Sequence, residues 1–326
     1  MPSIVAADRA TSHRDRARKK TVRERTRTNP QDNPQVQPSD TLTISLSLAA
    51  AILFAFGNQF SRLALRFVDF RTAALWQIGV SVGVYWLASP FYMQAWYWTA
   101  SVMPLLIALG FLRPLISANL GMAGTRILGP TISATLAATS PLFGVALGVV
   151  LLAETLSLEI ALGTAGIVAG VILISLRGRS ARSWPLIALL LPVGAAFIRS
   201  LVQAFSKIAL DEIPSPFFVA LIAYSVAFVC ALAGHLYLRR PILRSVPPEG
   251  MRWLIVTGIA YGAAVVTVNT ALLEGRLVVV APTIACAPIF TLLLGSWVFK
   301  EESINLRVAI ATLTVAASVA LIGWQA

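Results

Sequence analysis

From about Thr41 onward the chain is a succession of apolar runs, each about 20 residues long, broken by short polar stretches. Runs of that length match the roughly 30 Å hydrocarbon core of a bilayer at 1.5 Å per helical residue. A soluble domain carries about 25% charged residues, whereas this chain has 12% charged and 57% apolar residues. Ten spans are legible, at about 42–66, 72–90, 101–124, 129–152 and 156–176, then about 185–209, 216–238, 252–273, 278–299 and 304–324. In lipid every backbone N–H and C=O needs a partner within the protein, which leaves helices or closed barrels. A barrel strand needs only about ten residues of alternating polarity, and no such alternation is present. The predicted fold class is all-α and integral to the membrane, with ten transmembrane helices.

The apolar part is written twice. Phe60-Ser61-Arg62-Leu63-Ala64-Leu65 returns as Phe205-Ser206-Lys207-Ile208-Ala209-Leu210. Asn119 and Arg126 return as Asn269 and Arg276. Thr139-Ser140-Pro141-Leu142-Phe143, with Glu154 downstream, returns as Cys286-Ala287-Pro288-Ile289-Phe290, with Glu301 downstream. The offsets are 145, 150 and 147 residues, in one order. The spans divide five and five, so the halves are expected to be inverted repeats, residues 41–177 and 184–326. Duplicated membrane halves are a common build of secondary transporters, with the substrate site between the repeats near the bilayer midplane. Gly144 and Gly148, and Gly163, Gly166 and Gly170, have the spacing that lets helix backbones approach in lipid.

Residues 1–40 differ. They are polar, rich in Arg and Lys from Arg9 to Arg27, and then carry Pro30, Pro34 and Pro38. The expectation is a disordered basic tail, without the apolar core and cleavage site of a secretory signal, and able to meet anionic headgroups. The basic residues have no soluble domain to present them, so nucleic acid is not an expected partner. Cys230 and Cys286 fall within predicted spans and read as two buried free thiols. His13 and His235 are the only histidines. With no metal cluster, no Ser/His/acid set and no nucleotide loop, neither an enzyme nor a cofactor is expected.

The repeated blocks resemble the EamA-type branch of the drug/metabolite transporter superfamily, over about residues 42–324. The motifs that carry the resemblance are a Pro-aliphatic pair and a terminal Glu on the fourth helix of each half, then a Gly-rich fifth helix. Here these are Pro141-Leu142 with Glu154 and Gly163, Gly166 and Gly170, and Pro288-Ile289 with Glu301. The second copy departs in its last helix, where Ala309, Ala316 and Ala317 stand in place of Gly. The resemblance implies a small-molecule transporter of five helices per half; a cell membrane and a monomer or homodimer are expected. Small multidrug-resistance relatives use an embedded Glu for cations; here that stretch is Phe56-Gly57-Asn58-Gln59, which is neutral.

Charge inside a membrane costs about 2.5–3.5 kcal/mol on insertion scales, so each case needs a reason. Aligning Asn119 with Asn269 places the third span at about 102–123 and Arg113 near its centre; a start near Ala95 would leave Arg113 at the end. Arg199 sits mid-span in the sixth, with Gln203 four residues on. Asn58, Gln59, Gln77, Asn119 and Asn269 add neutral polar groups, and Trp76, Tyr85, Tyr224 and Tyr261 add aromatic walls. No Asp or Glu lies in the middle of any span. This pattern favours a substrate with a carboxylate or phosphate, which a guanidinium binds through two parallel hydrogen bonds. The alternative is that the arginines bond carbonyls of neighbouring helices and never meet substrate.

The expectation is a secondary or facilitative transporter of a small amino-acid or organic-acid type metabolite, with a cavity lined by spans 1, 3, 6 and 8. The runner-up is an exporter of neutral or amphipathic compounds; a polytopic enzyme or inert scaffold is the third reading. Pro141 and Pro288 are candidate bending points. Glu154 and Glu301 are expected to cap the start of the next helix or to serve a gate. Orientation signals conflict: the basic loops favour a cytoplasmic face opposite the termini, whereas the tail and the resemblance favour cytoplasmic termini.

Overall fold

The computed structural model describes residues 40–175, 186–237, 246–297 and 306–323. The basic N-terminal segment, Glu301 and the loop residues Arg177, Arg179, Arg182, Arg239, Arg240, Arg244 and Lys300 lie outside them. No strand occurs among the described residues. In the first half, α1 is Asp40–Ala64, α2 Phe70–Tyr92, α3 Met103–Gly110, α4 Ala118–Leu128, α5 Pro130–Ala137, α6 Ser140–Leu152 and α7 Leu158–Ser175. In the second, α8 is Leu190–Glu212, α9 Pro216–Tyr237, α10 Pro248–Glu274, α11 Leu277–Ile284, α12 Ala287–Trp297 and α13 Leu306–Gly323. Among the described residues seven helical segments are long and apolar enough to cross a membrane; Leu158–Leu173 and Ala309–Gly323 are shorter apolar helices. A further helix, Phe70–Tyr92, has 23 residues.

Local chemistry sets the helix starts. Asp69 caps α2, its carboxylate accepting from the Arg71 and Thr72 N–H groups at 3.1 and 3.5 Å. Proline opens α5, α9 and α10, where a missing N–H costs nothing. Ser157 Oγ accepts from the Ile160 N–H at 3.3 Å at the start of α7.

Three spans are interrupted. The third is α3, then a π-helical stretch Phe111–Ser117, then α4. The upstream Ala95–Thr99 forms a separate 3₁₀ turn that ends in extended Ala100. The helix therefore begins at Met103, and Arg113 stands inside the span rather than at its end. The fourth span breaks at Ala138–Thr139 between α5 and α6, and the ninth at Ala285–Cys286 between α11 and α12. The two breaks are 147 residues apart, each just before the repeated proline.

Packing runs across the halves. α1 lies along α10, α6 against α8, and α11 against α6 and α1. α7 and α13 form a pair of their own. There the Gly163, Gly166 and Gly170 stripe admits Ile322, Ser318 and Val315; a Cβ on Gly163 or Gly170 would come within 2.5 Å of a partner side-chain carbon. Ala311, Val315 and Ile322 of α13 are buried with Ile160, Ile167 and Val171 of α7.

Candidate functional site

A cavity of about 750 Å³ is enclosed by residues of α1, α2, the interrupted third span, α8, α9 and α10. Spans 2 and 7 thus join the four expected from sequence, and α1 contributes only Phe54. The floor is closed: Leu109 and Val219 are each 1% exposed and Asn269 4%. The other end is marked by Phe70, 43% exposed, and by exposed Thr125 and Arg126.

Of the residues singled out in sequence, Arg113, Arg199, Tyr224, Tyr261 and Asn269 line the cavity. Arg113 projects from the π-helical stretch, next to Pro114, which has no N–H to give its preceding turn. Its guanidinium carbon lies 5.9 Å from the Phe54 ring centre, a cation–π contact. Arg199 lines the same space from α8. Among the described residues neither guanidinium has a hydrogen bond or ion pair. Among the described residues no Asp or Glu lines the cavity. Asn269 donates Nδ2 to the Pro216 carbonyl at 3.1 Å, tying α10 to the start of α9.

Other expected residues stand behind the wall. Tyr261 donates its hydroxyl to Asn58 Oδ1 at 2.7 Å, and Asn58 Nδ2 donates to Thr291 Oγ1 on α12 at 3.2 Å. Gln59 is buried and donates to the Thr291 carbonyl. Gln77 donates to Ser61 Oγ at 3.0 Å. Gln203 and exposed Asn119 are not among the lining residues, and neither are Trp76 and Tyr85. Tyr85 donates its hydroxyl to the Gly262 carbonyl at 2.7 Å. The cavity also contains Ser117 and Ser206, which sequence reasoning passed over. Ser117, four residues past Arg113, and Ser206, inside the repeated hexapeptide, carried signals that could have found them.

The breaks at Pro141 and Pro288 do not line the cavity. Ser140 instead meets α8, its Oγ 3.0 Å from Ser200 Oγ. Glu154 departs from expectation. The start of the next helix is capped by Ser157, and Glu154 crosses to the other half. Its Oε1 accepts from the Leu277 N–H at 2.7 Å and its Oε2 from the Val278 N–H at 2.8 Å, at the start of α11. The chain turns toward α11 through Ala153, at φ 52° in the left-handed region, while the Glu154 N–H donates back to the Gly148 carbonyl at 3.0 Å. Among the described residues no cluster of His, Cys, Asp or Glu could hold a metal.

The sequence profile of the EamA-like transporter family matches residues 41–176 and again residues 186–324. A solved crystal structure of a protein superposes with a TM-score of 0.73 at 17% identity; the match covers 87% of this chain and 97% of that one. No curated protein matches.

Proposed function

This chain belongs to the EamA-like transporter family, a multi-pass integral membrane protein built for moving small molecules, and on that premise we propose that it carries a small anionic metabolite by alternating access. In this reading ten helices cross a cell membrane as two inverted five-helix repeats. The spans broken at Pro141 and Pro288 are the bending points.

The observation that carries the reading is the unneutralised arginine pair. Each guanidinium within a membrane costs about 2.5–3.5 kcal/mol on insertion scales, and two in one cavity repel. Neither cost is offset by a carbonyl, an acid or another hydrogen-bond acceptor among the described residues. A carboxylate or phosphate between α8 and the π-helical stretch supplies the missing counter-charge and accepts bidentate hydrogen bonds. The structural alternative needs the arginines bonded to neighbouring carbonyls, and no such bond is present among the described residues. The surrounding wall is largely apolar, with Phe54, Ile78, Leu109, Met122, Val202 and Val265, so the anion is expected to carry an apolar body. Tyr224, Tyr261, Ser206 and Asn269 are the groups that fix its remaining polar atoms.

The test is thermal unfolding of the purified protein with carboxylates, amino acids, phosphate esters and organic cations. A ligand that binds only the folded state stabilises it by about 2.7 kcal/mol at a hundredfold excess over its Kd. Stabilisation by an anion, lost in Arg113→Gln and in Arg199→Gln, is the expected result. Stabilisation by cations or neutral amphiphiles alone, unchanged in both variants, overturns the reading.

A further inference from the structure

Two carboxylates join the halves at one end of the bundle, both on backbone amides that open a helix. Glu154, after α6 of the first half, takes the Leu277 and Val278 N–H groups of the second at 2.7 and 2.8 Å. Glu212, closing α8 of the second half, takes the Ser101 N–H and hydroxyl of the first, each at 2.7 Å. Lys207 donates to the Leu272 carbonyl at 2.7 Å, tying α8 to α10. Phe218, fully buried and adjacent in the chain to Val219 of the cavity floor, packs on the Tyr97 and Trp98 rings at 5.1 and 5.4 Å. This is the end at which α1 begins, since Gly275 abuts Thr43.

The opposite end, where Phe70 and Arg126 mark the cavity mouth, has no matching pair among the described residues. At the repeat offset of 147 residues, Leu277 corresponds to Pro130, which has no N–H. At the offset of 145, Glu212 corresponds to Phe67. Phe67 lies against Gly250 at the start of α10 through its Cβ, an apolar contact in place of a carboxylate on an amide. Pro130 and Phe67 thus differ from their repeat counterparts, while Glu301, the counterpart of Glu154, lies outside the described residues.

We propose that Glu154 and Glu212 are paired latches that hold the cavity shut at the end where α1 begins, and that both must release for the site to reach that face. The proposal rests on the ten-crossing, alternating-access reading above. A carboxylate on two amides, or on an amide and a hydroxyl, forms charge-assisted hydrogen bonds, about twice as strong as neutral ones, and it also complements the helix dipole. A side-chain amide in the same place has one acceptor oxygen, and turns an NH₂ group toward a second donor.

Val219→Cys, in a chain with Cys230→Ala and Cys286→Ala, reports access to the floor. It is labelled with a membrane-impermeant maleimide in right-side-out cells and in inside-out vesicles, and a tag after Ala326 identifies the face that bears the C-terminus. With both latches intact, labelling is expected from the face opposite the C-terminus only. With Glu154→Gln and Glu212→Gln together, labelling from the C-terminal face should rise at least tenfold. Leu277→Pro copies the other repeat and removes one latch donor at a position where proline is tolerated. It should raise the same rate if the double variant does not fold. One-sided labelling that stays unchanged in the latch variants overturns the latch and leaves the transporter reading standing. Equal labelling from both faces with the latches intact, or labelling from neither, overturns both.

Discussion

Arg113 and Arg199 show how far a residue-level reading reaches. Two basic residues at mid-span and no acid at any span centre were enough to expect an anion. Whether each arginine already had a partner depended on what lay within a few ångströms, and that is set by helices far apart in the chain. Glu154 shows the same limit from the other side. A glutamate ending a helix is expected to serve amides nearby, but Ser157 serves the next helix and Glu154 serves Leu277, 123 residues away. The turn that sends it there stores strain at Ala153, where a left-handed non-glycine residue costs about 1–2 kcal/mol. Ala153→Gly is expected to raise stability by up to about 1 kcal/mol, and Ala153→Val to lower it by about 1–2 kcal/mol. Thermal unfolding in detergent measures both.

Among the elements, the interrupted spans matter most to the site. The π-helical stretch gives Arg113 its direction, because one extra residue per turn rotates the downstream helix by about 100° relative to a regular one. Pro114→Ala restores an N–H and lets the stretch close as α-helix. The expected outcome is a loss of anion-dependent stabilisation of about tenfold in apparent affinity, with a lower melting temperature because the packed face of α4 turns; ligand titration of the unfolding curve checks it. The α7–α13 pair tests packing instead of function. Gly166 seats Ser318 of α13 with no room for a Cβ. Gly166→Leu should cost about 1–3 kcal/mol by overpacking, visible as a lower melting temperature, while the ligand dependence of the remaining folded protein is retained.

The whole molecule is held by contacts between its halves. α1 lies along α10, α6 against α8, and Glu154 and Glu212 each bridge from one half to the other. Neither half buries its polar groups alone: Gln59 of the first bonds Thr291 of the second, and Asn58 bonds both Tyr261 and Thr291. A chain divided between the two matched segments, at about residue 180, is therefore expected to accumulate only when both pieces are made together. Gel filtration in detergent and substrate-dependent stabilisation of the co-expressed pieces measure it. A stable, monodisperse single half would show that the inter-half contacts are not required for folding.

Run length, polarity and the duplicated blocks were enough to place the helices, because insertion in lipid rewards apolar length locally, residue by residue, and the second copy sets the register of the first. They also placed Arg113 inside its span, whereas the breaks at Ala138–Thr139 and Ala285–Cys286 were not foreseen as such. The membership of the cavity wall, with Tyr261 in it and Asn58 and Gln59 behind it, was decided by which faces of α1, α10 and α12 meet. So was the partner of Glu154. Directional hydrogen bonds act over about 3 Å, and only the tertiary structure brings residues more than a hundred positions apart to within that distance.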